Sequence, residues 1–235
     1  MNFRAALILL VLNAAHAAFG ADYNAIFENA VEAVEFDFEE RWAYTETSVD
    51  REHVWVGRSD PREPGGERWQ LLSVDGRAPS PEELQEYKKE KAHDHSSSGD
   101  KRVNAMVEPE SVVLVEETDD YWLLRFAPGD DQEAFMGHVD ATMRINKTLG
   151  HLEYIDLRSH STIRPAIGVK ISKLITRLTF GPAVEGGPVV PLSTQVEVKG
   201  RAYFLVSFDE EELIHNTEFE FVSDGETDAD KIVNK

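Results

Sequence analysis

The sequence predicts an α+β protein, mainly β: a curved antiparallel half-barrel of about ten to eleven strands covered by one to three helices. Three observations lead there. From Trp42 onward the chain breaks into short runs rich in Val, Thr, Phe and Tyr. Turn chemistry separates them at Pro61 to Gly66, Asp119-Asp120, Pro128-Gly129-Asp130, Gly150, Glu185-Gly186-Gly187-Pro188 and Lys199-Gly200. Several runs alternate apolar and polar residues, the pattern of a sheet with one buried and one wet face. Clear helix signals are confined to two segments, 23–40 and 81–92.

The chain opens MNFRAALILLVLNAAHAAFGAD, with one cation, Arg4, an apolar run from Ala5 to Leu12, and the small-residue triplet Ala15-His16-Ala17. This is the pattern of a secretory signal peptide over residues 1–17, with cleavage there or as late as 21. The apolar run is well short of the roughly 20 residues a spanning helix needs. There is no cysteine, so disulfides, thiolate chemistry and a lipid-modified cysteine are excluded. The expectation is a periplasmic protein that is neither a lipoprotein nor membrane-spanning. Residues 22–222 then form one domain, 93–102 a flexible insert, and 223–235 a disordered tail.

After the leader, Ile26, Ala30, Val31 and Val34 recur at helical spacing, with acidic residues opposite. Strand-like runs follow at 42–50, 53–59, 67–74, 111–117, 120–127, 135–146, 152–160, 169–180, 192–199, 201–208 and 213–222. In FMGHVDATMRIN, Phe135, Val139, Ala141, Met143 and Ile145 share a side; near the end Leu213, Thr217, Phe219 and Phe221 oppose Asn216, Glu218 and Glu220. Segment 169–180 also fits a basic amphipathic helix, with Lys170, Lys173 and Arg177 opposite Ile171, Leu174, Ile175 and Leu178. Its β-branched residues favour a strand. Ser80-Pro81-Glu82-Glu83 is a capping box that starts a helix running to Ala92. The polar stretch AHDHSSSGDKR follows. A narrow-faced helix between a strand and a polar tether is built like a lid.

The net charge of -20 repels nucleic acid and anionic membranes from the surface taken whole, and no nucleic-acid partner is expected. Charge is uneven, and Arg144, Lys147, Arg158, Arg164, Lys170, Lys173 and Arg177 crowd the region 138–177. Either they alternate with acids across a solvated face, or Arg158, Arg164, Lys170, Lys173 and Arg177 form an anion or partner patch. No serine-nucleophile elbow, zinc-protease helix or phosphate loop is present. His93-Asp94-His95 lacks a complete ligand set. The sequence therefore predicts no catalytic residue, no metal and no cofactor: a binding protein rather than an enzyme.

The stretch WAYTETSVDREHVWVGRSDPREPGGERWQLLSVDG, placed after a signal peptide and a helix, resembles the LolA/LolB-like periplasmic half-barrel superfamily. That group includes lipoprotein carriers and the N-terminal domain of the RseB sensor. It also resembles uncharacterised proteobacterial secreted proteins with the same RW-LLSVDG-P pattern. The resemblance implies an open curved sheet under helices with an apolar cavity between, and lipoprotein transport as a neighbouring function. Trp122, Leu124, Phe126, Met143, Leu178, Phe180, Phe208 and Phe219 are the residues to line such a cavity, or to fill it as ordinary core. The expected function is a carrier for a lipid, lipopeptide or other acyl-containing ligand. The alternative is an envelope protein-interaction or sensory module using the sheet edge or the 138–177 region. The partner would be a hydrophobic ligand or an envelope protein, with transient membrane contact.

Overall fold

The computed structural model describes residues 21–97, 111–127, 137–203 and 206–222, with 92–97 as backbone. The proposed signal peptide, residues 98–102 of the insert, Phe135 and the tail lie outside these. None of the described helices is long and apolar enough to cross a membrane.

Helix α1 spans Tyr23–Glu32, capped by the Asp22 carboxylate, which accepts from the Ala25 N–H at 3.1 Å. It stops well short of residue 40, correcting the longer helix read from the sequence. From Val34 the apolar residues change period: Val34, Phe36 and Phe38 recur every second position, which a helix cannot direct to one face. The backbone extends there. Val34 bridges Val189, and the Glu35 N–H donates to the Val189 carbonyl at 2.8 Å. A short 3-10 turn, Phe38–Glu40, leads into the sheet.

The strands are β1 (Trp42–Val49), β2 (Val54–Ser59), β3 (Trp69–Val74), β4 (Val113–Glu117), β5 (Tyr121–Phe126), β6 (Val139–Asn146), β7 (Leu152–Ser159), β8 (Val169–Pro182), β9 (Val189–Ala202) and β10 (Val206–Phe221). Helix α2, Pro81–Ser97, lies between β3 and β4. All ten form one antiparallel sheet in the order β3-β2-β1-β10-β9-β8-β7-β6-β5-β4. The first strand joins the last in the middle, so β3 and β4 become the two edges. The sheet is open, as the half-barrel reading requires.

Three details of the sequence reading change, and one ambiguity resolves as favoured. The runs 192–199 and 201–208 are not separate strands. Lys199-Gly200 lies inside β9, and the turn comes after Ala202. Gly200 is there for close approach: a Cβ would lie 2.5 Å from the Lys170 carbonyl oxygen and deep in the Phe208 ring of the facing strand. Segment 169–180 is strand, paired on both sides. The second helix continues five residues past Ala92 to Ser97. The last strand does not keep one apolar face. Glu218 takes a left-handed φ of 52°, and the register slips between Ala43 and Thr45. That bulge turns Leu213 and Thr217 outward while Phe219 packs inward.

Candidate functional site

Cross-strand register puts Trp55, Ser48, Ile214, Thr194, Leu178, Ile155 and Met143 in one row across seven strands. Side chains alternate along each strand, so this row defines the inner face. Both helices pack on it. Under α1, Phe27, Ala30 and Val31 meet Leu124, Phe126, Met143, Ile145 and Phe180; the Phe27 and Phe126 rings stack at 6.4 Å. Under α2, Tyr87 joins Trp42, Tyr44, Trp69 and Leu71. At the far end the turn after β7 folds back, and Ile163 seals against Val139 and Leu174.

These covers leave the middle of the inner face half-buried: Ser48, Thr176, Thr194, Val196, Glu212 and Ile214. The floor of this trough is mixed: Val196 and Ile214 are aliphatic, Ser48, Thr176 and Thr194 carry hydroxyls, and Glu212 is acidic. Glu212 accepts from the Ser48 hydroxyl at 3.0 Å. One turn of β1 away, Glu46 is buried and pairs with Lys91 of α2 at 2.6 Å. The Lys91 ammonium also lies 4.6 Å from the centre of the Trp69 ring. Burial raises the Glu46 carboxyl above its ordinary value, Lys91 pulls it back, and Glu39 and Glu212 push it further up.

Over residues 81–91, helix α2 buries a narrow face. Among its described side chains, Tyr87 and Lys91 are the buried ones, and the Tyr87 ring lies over Gly57. Leu84 is exposed. Small clefts of about 340 and 390 Å³ open between α2 and β3, the first against Arg68, Trp69 and Lys91, the second against Leu71, Leu84 and Tyr87. The capping box is present in both halves. The Glu83 N–H donates to Ser80 Oγ at 3.3 Å, and the Ser80 N–H donates to the Glu83 carboxylate at 2.7 Å. Arg77 also clamps that carboxylate and, with the Ser80 N–H, lowers it to about 2.

The eight residues named for the cavity fall in different places. Leu124, Phe126, Met143 and Phe180 are packed beneath α1. Trp122 and Leu178 sit half-buried at the margin of that cluster, where Leu178 faces the trough. The Trp122 indole donates to Glu117 at 3.2 Å. Phe219 belongs to the cluster under α2, and Phe208 lies across Gly200 near the open end.

The basic residues also divide. Arg158 and Arg177 both grip the buried Asp156 carboxylate on the outer face. Lys173 pairs with Glu197 at 2.5 Å, within a chain that continues through Lys199 and Asp209 to Arg51. These are the alternating charges of a solvated face. Arg164 and Lys170 are different. They line a cleft of about 1040 Å³ with Lys199 and Arg201 at the turns before β8 and after β9.

Glu46, Lys91 and Glu212 were missed by sequence reasoning. A signal existed for Glu46: Trp42, Tyr44, Glu46 and Ser48 share a parity in WAYTETSV, so the glutamate points the way the aromatic residues do. Nothing local marks Lys91 as its partner. Among the described residues, no three His, Asp or Glu side chains gather as a metal site would require. Compared with known proteins, the chain matches no family model, no curated protein and no solved structure.

Proposed function

We propose that this chain is a non-catalytic periplasmic binding or carrier protein that holds an acyl-containing amphiphile, a lipid or lipopeptide, along the inner trough. The observation that carries this reading is the half-buried floor between the two helix-covered clusters, with Val196, Ile214 and Leu178 beside Ser48, Thr194 and Glu212. An acyl chain laid on the aliphatic part gains about 0.8 kcal/mol per methylene removed from water. The hydroxyls and the Glu212 carboxylate suit a polar or cationic head at the same site. The clefts between α2 and β3 support its use as a cover that yields when a guest enters. The resemblance to the LolA/LolB-like group points the same way.

The test is titration of a fluorescent acyl lipopeptide into the purified protein. Saturable binding is expected, and Val196→Arg, which places a charge on the trough floor, should weaken it at least tenfold. The absence of saturable binding to the parent protein sinks the proposal.

One observation favours a second reading, protein interaction at the sheet edge. Every residue of the edge strand β4 is exposed, Val113, Leu114 and Val115 included, and among the described residues only β5 pairs with it. An exposed edge of this kind accepts an added strand from a partner. Leu114→Pro would block strand addition while leaving acyl binding intact, which separates the two readings.

A further inference from the structure

The turn before β8 and the turn after β9 are held side by side. The Tyr203 N–H donates to the Gly168 carbonyl at 2.7 Å, and Val169 pairs with Ala202. The contact is built in: Gly168 has a φ of 83°, and Tyr203 accepts a left-handed φ of 50° that a tyrosine rarely adopts. The paired turns carry two kinds of side chain. Ile167 is fully exposed, Tyr203 is 74% exposed and Val206 61%. Around them stand Arg164, Lys170, Lys199 and Arg201, lining the cleft with Ser172, Ser207 and Asp209. Lys199 bonds Glu197 and Asp209. Among the described residues no carboxylate pairs with Arg164, Lys170 or Arg201.

Unpaired cations are conspicuous in a chain with a net charge of -20. Elsewhere on the outer face Arg58, Arg144, Arg158 and Lys173 are each matched to a carboxylate. Exposed aliphatic and aromatic side chains ringed by basic residues are the chemistry of an interfacial membrane contact. The apolar tips enter the headgroup layer and the cations meet lipid phosphates. A protein partner would instead favour a flat apolar centre with a polar rim. The acidic remainder has a role too. An anionic bilayer repels it, so the molecule is turned tip-first, and the repulsion fades beyond a Debye length of about 8–10 Å.

We infer that the turns around Ile167 and Tyr203 form a docking tip for a bilayer rich in anionic headgroups. This holds whether or not the trough carries a guest. The experiment is co-sedimentation of the full chain with phosphatidylglycerol vesicles and with phosphatidylcholine vesicles, at low and high salt. Binding is expected to phosphatidylglycerol and to fall with salt. Relative to the parent, Lys170→Glu with Arg201→Glu should weaken it at least about tenfold. Ile167→Asn with Tyr203→Asn should weaken what survives at high salt. Asparagine tolerates the left-handed backbone at residue 203, and all four side chains are exposed, so unchanged circular dichroism and melting confirm folding. Absent binding to phosphatidylglycerol, or binding that the charge reversal leaves unchanged, overturns the inference. So does loss of self-association, measured by sedimentation velocity, in the charge-reversed protein without any effect on vesicles; that result would assign the tip to a second copy of this chain.

Discussion

The Lys91 ammonium on α2 lies 2.6 Å from the Glu46 carboxylate on β1, 45 positions away in the chain, and both side chains are about nine-tenths buried. This pair joins the cover to the inner face of the sheet. Its net contribution to stability is small, because two charges were taken out of water to make it. Its contribution to position is large, because it fixes one buried point of α2 against β1.

Removing one partner is therefore worse than removing both. Lys91→Ala leaves Glu46 buried and unpaired, and should cost about 3 kcal/mol in urea unfolding or in protection of α2 amides from hydrogen exchange. The loss is capped by the free energy of simply detaching α2. The double variant Lys91→Met, Glu46→Gln should recover most of it. If the double variant is as unstable as the single one, the pair is not coupled.

Acidity acts on the same pair with a definite sign. Burial raises the Glu46 carboxyl above its ordinary 4.5, so the folded protein holds that proton more tightly than the unfolded chain. The stabilisation from protonating it is fully present below 4.5 and is lost as pH rises through the folded value. Carboxyl-carbon NMR of the folded protein should show Glu46 titrating above 4.5, and further upward in Lys91→Met. A midpoint at or below 4.5 would contradict the burial of this group.

Tyr87 offers a sharper test of how α2 sits. Its hydroxyl is buried with no hydrogen-bond partner among the described residues, and burial pushes the phenol well up. Tyr87→Phe removes an unsatisfied group and should stabilise by about 1 kcal/mol. Gly57→Ala should destabilise by about 1–3 kcal/mol, because its Cβ would come within 2.7 Å of Tyr87 Cζ and closer still to the oxygen. Thermal melts of the two variants and their combination would show partial rescue by the phenylalanine.

The capping box sets where α2 begins. Ser80→Ala removes the acceptor for the Glu83 N–H and should cost about 1 kcal/mol of helix stability. The Glu83 carboxyl is lowered to about 2, first by Arg77 and then by the Ser80 N–H. A lowered carboxyl contributes stability above its ordinary 4.5 that is lost as pH falls through about 2. The Glu83 resonance should therefore stay that of the carboxylate at pH values where ordinary glutamates have protonated.

On the outer face Asp156 is the hub. It is buried and bound by Arg158 and Arg177 together. Asp156→Ala leaves two guanidiniums facing each other and should cost more than about 2 kcal/mol. Arg158→Ala removes a side chain that is 56% exposed and should cost under about 1 kcal/mol. Chemical denaturation of the two variants checks the order.

The strand pattern, the alternation of Val139, Ala141, Met143 and Ile145, and the Ser80–Glu83 cap were legible because each is local. Period two, period 3.6 and a three-residue capping interval are written in neighbouring residues. The end of α1 was misread for the opposite reason. The period-two run Val34, Phe36 and Phe38 is too short to stand out against the helical spacing before it, and the Val189 carbonyl that fixes the extended backbone lies far away in the chain. The same holds at Gly200, which reads as a turn until Phe208 of the facing strand is seen lying over it.

By itself the sequence determined that this is a mainly β chain with two helices and a strongly acidic surface, since composition and periodicity are properties of neighbouring residues. Only the tertiary structure decided which charges are spent and which remain. Arg158, Arg177 and Lys173 lie beside Asp156 and Glu197, while Arg164 and Lys170 reach an open cleft. Pairing of charges depends on distances of a few ångströms across strands, and those distances follow from register and bulges that no single strand contains.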